Sequence, residues 1–164
     1  MSPSTTSPTA SPTSPTPTTT VLGFTTRAVS GGTAYTAPAQ AHLRRVAVGP
    51  RPGYDRLVLD FGTDPVPRFT VTPQASASFR TDPADVLVTL LGTSGVRVVV
   101  SDTVKNAQVV DRLVPLYTAI REVRAIGDFE AVVSYGVGVR GPAWIRVTTL
   151  TGPYRLVVDV AWTA

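Results

Sequence analysis

The chain has 164 residues, which leaves roughly 120 for one ordinary domain once a low-complexity N-terminus is set aside. It has no cysteine, so disulfide scaffolds, thiolate zinc sites and thiol catalysis are excluded. The net charge is +4 and the isoelectric point near 10.0, carried by arginine with Lys105 the single lysine; the arginines are scattered along the chain, whereas a nucleic-acid site is normally a clustered footprint, so no nucleic-acid partner is expected.

From Ser2 to Thr20 almost every residue is Ser, Thr or Pro, with no charge and no large apolar side chain. Such a segment cannot repay its ordering entropy and is expected to be a disordered stalk. Val21 to Phe24 is expected to dock locally and Gly31 to Gln40 to be further linker, so residues 1–40 read as tail and linker and residues 41–164 as the folded domain. No apolar run approaches the ~20 residues of a membrane-spanning helix. Met1 is followed by polar residues, so the chain is expected either to be cytoplasmic or to have its export signal upstream.

After residue 40, short β-branched runs alternate with Gly, Pro and Asp turns. Strands are expected near 42–48, 55–61, 67–72, 85–91, 96–101, 119–126, 130–139, 143–150 and 154–161. Pro52-Gly53, Gly62 to Pro67, Asp82-Pro83, Gly92 to Gly95, Gly141-Pro142 and Gly152-Pro153 separate them. Val104 to Tyr117 reads as turn or loop, because Pro115 and the valines disfavour a helix. The predicted fold is all-β, a small two-sheet sandwich.

Two strands repeat one another. Arg56-Leu57-Val58-Leu59-Asp60-Phe61 matches Arg155-Leu156-Val157-Val158-Asp159-Val160. Alternation puts Leu57, Leu59 and Phe61 on one face, with Leu156, Val158 and Val160 their equivalents, and leaves Arg and Asp on the other. Within a strand that Arg and Asp stand about 13 Å apart, too far to pair. The strands are therefore expected side by side and antiparallel, Arg56 facing Asp159 and Asp60 facing Arg155.

These blocks, with Gly127-Asp128-Phe129-Glu130-Ala131-Val132-Val133-Ser134-Tyr135-Gly136-Val137-Gly138-Val139, Ile145-Arg146-Val147-Thr148-Thr149-Leu150 and the Tyr54-Asp55 and Pro153-Tyr154 lead-ins, resemble the signature of the AMIN-like domain of actinobacterial secreted proteins and lipoproteins. The resemblance covers about residues 42 to 162. It is similar in turn to the AMIN domain, a β-sandwich of two related halves that targets envelope proteins. The resemblance implies an extracellular or envelope location and a cell-wall glycan or envelope protein as partner, and it implies no reaction.

Candidate chemistry is sparse. Gly136-x-Gly138-x-x-Gly141 formally fits a dinucleotide fingerprint, but Pro142 and a strand follow where a helix must open, so the glycines are expected to serve a bend or bulge. Asp128 and Glu130 flank Phe129, and on a strand both carboxylates would share one face about 6.6 Å apart, near a glycosidase separation. A salt-bridged or solvated acid pair is the commoner meaning of that spacing; a glycan-processing enzyme is held as the alternative, and a basic nucleic-acid-binding β domain as a less favoured third. His42 is the only histidine and has no ligand set or nucleophile around it, so it is read as a surface residue; no metal and no cofactor are expected. Among the aromatic residues Tyr54, Tyr117, Phe129, Tyr135, Trp144, Tyr154 and Trp162, alternation points Phe129 inward. Tyr135 and Trp144 flank the Gly-rich turn and are expected at a binding surface, with Arg140 and Arg146 as hydrogen-bonding neighbours.

Overall fold

The computed structural model describes residues 23–162, built from strands and irregular connections with no helix among them. In chain order the strands are β1 (Val29–Gly31), β2 (Ala41–Leu43), β3 (Arg45–Arg51), β4 (Tyr54–Gly62), β5 (Phe69–Gln74), β6 (Ser78–Arg80) and β7 (Leu87–Thr89). They continue as β8 (Ser94–Val100), β9 (Thr103–Lys105), β10 (Arg112–Leu113), β11 (Ile120–Phe129), β12 (Val132–Val139), β13 (Trp144–Leu150) and β14 (Tyr154–Ala161).

Two antiparallel sheets form the sandwich. The larger runs β1-β5-β8-β12-β11-β10 and the smaller β13-β14-β4-β3. The two-residue rhythm produces both: β4 alternates strictly, with Asp55, Leu57, Leu59 and Phe61 buried and Tyr54, Arg56, Val58 and Asp60 half-buried on the other face. Leu156, Val158 and Val160 of β14 join the same core, facing Val96, Val98 and Val100 of β8 and Val133, Tyr135 and Val137 of β12. Each fully buried Leu, Val or Phe contributes about 1.5–3 kcal/mol by leaving water.

A second, smaller core lies on the outside of the six-stranded sheet. There β6 and β7 form a hairpin whose Phe79 packs with Ala77, Leu90 and Ile126. This hairpin gives the glycines of β12 their purpose. A methyl group on Gly138 would stand 2.1 Å from the Leu91 carbonyl oxygen, and one on Gly136 would stand 3.0 Å from the Phe79 ring. β12 carries no bulge against β8, so close approach of a covering layer, and not the expected bend, explains the spacing.

The sheets are also fastened by a buried carboxylate. Asp55 of β4 is fully buried, and its Oδ2 accepts hydrogen bonds from the backbone N–H groups of Ala119 (2.6 Å) and Ile120 (2.9 Å) at the start of β11. One side chain thus satisfies two donors on the opposite sheet.

Several expected boundaries move. The strand expected over 42–48 is two strands that break at Arg44, β2 leaving to pair in parallel with β9 while β3 stays on β4. The strand expected over 85–91 shrinks to β7, because Asp85 takes a positive φ of 51° in the preceding turn. The strand expected from 130 begins at Val132, since Glu130 and Ala131 have φ of 49° and 60° and form the tight turn of the β11–β12 hairpin. Phe129 is exposed and not inward, because a register shift between Ala125 and Gly127 reverses the alternation at the end of β11. The expected linker begins inside structure: Val29–Gly31 is an edge strand of the larger sheet, paired with β5. The tail expected over Ser2 to Thr20 lies outside the described residues.

Candidate binding face

The repeated strands meet as their charges require. β14 runs antiparallel to β4 with Asp159 opposite Arg56 and Arg155 opposite Asp60. The β13–β14 hairpin places Arg146 opposite Asp159, and β3 places Arg45 opposite Asp60 and Arg51 opposite Tyr54. Partners opposite one another share a face, so Arg45, Arg51, Arg56, Arg146 and Arg155 stand on the outer face of the four-stranded sheet with Asp60 and Asp159. Arginines scattered in sequence are gathered by topology.

Two of the five are committed to the fold. Asp159 is 1% exposed, and Arg56 reaches it with Nε on Oδ1 (2.7 Å) and Nη2 on Oδ2 (3.0 Å). Arg146 donates to the same Oδ2 from Nε (3.1 Å) and Nη2 (2.8 Å). The Asp159 hydrogen bond raises the Arg56 pKa against the opposing effect of burial. The guanidinium of Arg146 also lies 4.6 Å from the Phe24 ring centroid and 5.0 Å from that of Tyr54. Phe24 is held there because Thr25 exchanges two 2.8 Å backbone hydrogen bonds with Ile145 on the β13 edge. The local docking expected of Val21 to Phe24 is thus realised at Phe24. Arg146, expected to meet ligand, has both its edge and its face occupied.

The remaining three arginines lack carboxylate partners among the described residues. Arg51 donates to the neighbouring Pro50 carbonyl oxygen and Arg155 Nε to the Pro153 carbonyl oxygen at 3.3 Å, while Arg45 has no side-chain hydrogen bond there. Asp60 turns away from both neighbours: its Oδ1 accepts from the Gly62 N–H at 2.7 Å.

The other candidates disperse. Tyr135 is not at the surface: it is 1% exposed between the sheets, its hydroxyl donating to the Val110 carbonyl oxygen at 3.1 Å, and burial pushes its pKa up. Trp144 is half-buried on the arginine-bearing face, and Arg140 is exposed at the end of β12. Beside them Gly141, Pro142 and Ala143 line a depression of about 510 Å³ with few free polar groups, the Ser94 hydroxyl being tied to the Gly141 carbonyl. Asp128 lines a cleft of about 600 Å³ with Lys105, Asp111 and Arg124, where Lys105 pairs with Asp111 and lies 3.8 Å from Asp128. Glu130 lies beyond the end of β11 on a turn with φ of 49°, so the strand alternation that would set both carboxylates on one face does not extend to it. His42 is exposed and its Nδ1 lies 3.0 Å from Asp64 Oδ2. Among the described residues no group of three His, Cys, Asp or Glu side chains could hold a metal ion.

A family model described as the AMIN-like domain matches residues 41–162. The chain belongs to this family. AMIN-like domains are generally non-catalytic binding modules, associated with extracellular or periplasmic proteins and the cell envelope. No curated protein and no solved structure matches the chain. The AMIN-like match includes both repeated strands, and so the whole arginine-bearing face except Phe24. No helix among the described residues is long and apolar enough to cross a membrane.

Proposed function

We propose that this AMIN-like domain is a non-catalytic module that works outside the cytoplasm and holds a cell-wall polymer against the outer face of its four-stranded sheet. One observation carries the reading. Five arginines against two aspartates stand on a single face, and Arg45, Arg51 and Arg155 of that set are not neutralised by any described carboxylate. Cationic side chains left unpaired on a rigid sheet attract anionic groups of a polymer and impose no reaction on them. The family's envelope association supplies the polymer's class.

Co-sedimentation of the full chain with purified sacculi tests the reading. Retention that falls as salt rises is expected, with no soluble wall fragments released. Release of fragments, lost in Glu130→Gln, would establish the glycan-processing alternative.

A further inference from the structure

Arg155, Asp60 and Arg45 are successive partners on β14, β4 and β3, so they form one row across three strands. With strands about 4.8 Å apart, the row spans about 10 Å, and both arginine side chains are long enough to converge above the central aspartate. With Ala47 and Val58 they line a depression of about 210 Å³. Charges this close normally neutralise one another, as Arg56 and Arg146 do on Asp159. Here they do not. Asp60 is drawn back by the Gly62 N–H, and neither Arg45 nor Arg155 lies within salt-bridge distance of a described carboxylate. The terminal nitrogens of both arginines and the Oδ2 of Asp60 have no hydrogen-bond partner among the described residues.

We propose that this row is a subsite for the C-terminal residue of a peptide: a free carboxylate with an amide N–H beside it. Arg45 and Arg155 take the carboxylate oxygens from either side, as guanidinium groups do with planar anions. Asp60 Oδ2 accepts the adjacent N–H, and the small side chain of the terminal residue rests on Ala47 and Val58. The central aspartate selects the ligand class. A phosphodiester carries the same single negative charge as a carboxylate but offers Asp60 no N–H, whereas a peptide terminus satisfies all three groups together. The proposal rests on the wall-binding reading only for the source of the peptide.

Amide chemical-shift titration of the full chain tests it, with N-acetyl-alanyl-alanine of either chirality, its C-terminal amide, and inorganic phosphate as probes. The free acid is expected to shift residues of β3, β4 and β14 saturably, with the amide at least about tenfold weaker. Arg45→Gln and Arg155→Gln should each weaken the free acid about fivefold or more, and the double variant should abolish binding. Asp60→Ala, which removes the acceptor as well as the charge, should narrow the preference for the acid over phosphate, while Arg80→Gln, on the β6–β7 hairpin over the other sheet, should change neither. Neither Arg45 nor Arg155 takes part in a salt bridge among the described residues, so their variants should keep the spectrum of the folded chain. Equal binding of acid and amide, displacement of the acid by phosphate, or undiminished binding by the double variant would overturn the subsite. Sacculus retention separates this proposal from the reading beneath it. A double variant retained as well as the original chain removes the subsite alone, whereas an original chain that is not retained removes the wall-binding reading whatever the peptide does.

Discussion

Among the described residues Asp55, Glu122 and Asp159 are buried carboxylates, and each is answered by a different device: backbone N–H groups, a single arginine with a backbone N–H, and a pair of arginines. Asp159 is doubly served, so the loss of one arginine leaves the other in place. Arg56→Gln is therefore expected to cost about 1–2 kcal/mol, and Arg56→Gln with Arg146→Gln about 3–5 kcal/mol, the second removal costing more than the first because it strands a buried charge. Urea unfolding of the four chains in a double-mutant cycle measures this. Glu122 gives a pH dependence. Burial pushes its pKa up, but the hydrogen bond from Arg112 (2.7 Å) and the N–H of Leu91 (2.9 Å) outweigh burial and bring it below its ordinary 4.5. A carboxylate depressed in the folded state stabilises fully above its unfolded pKa and loses that contribution as pH falls through the folded value. Stability should thus be flat above about pH 5 and fall below it, and Glu122→Gln should flatten the acid limb in thermal melts at stepped pH. The Arg56–Asp159 contact was legible in the sequence because two strands carry the same charge spacing. The Arg146 contact was not, since it depends on the register of the β13–β14 hairpin. Asp55 gave no signal either, being one acid in an apolar alternation whose partners are backbone groups.

At the scale of elements, misread strands trace to changes of phase. Apolar positions 41 and 43 are buried and so is 46, an odd step that marks the break at Arg44 and sends β2 to β9. Phe129 was placed inward because it alternates with Asp128 and Glu130; β11 slips by one residue between Ala125 and Gly127, and Gly127 is the mark of that slip in the sequence. The glycines beside Tyr135 suggested an exposed turn, although they are there because the β6–β7 hairpin and the Leu91 carbonyl lie against β12. Gly138→Ala is accordingly expected to destabilise by about 1–3 kcal/mol through overpacking, where a glycine at a plain bend would lose little. A fall in melting temperature, with the hairpin's amide protection lost first, is the observation to make.

For the whole molecule, composition and rhythm sufficed for the sandwich, though not for its first edge strand at Val29–Gly31, which falls within residues read as tail and linker. The placement of charge did not follow from either, because arginines separated by up to about a hundred residues become neighbours only through β3, β4, β13 and β14. That convergence turns a basic composition into one cationic face, where the ligand is proposed to be held. Chemical-shift mapping of the isotope-labelled chain with soluble wall fragments asks which face is touched. Perturbations centred on Arg45, Ala47, Val58, Asp60 and Arg155 are expected; perturbations centred on Lys105 and Asp128, or none at saturating fragment, would rule out binding at the arginine face.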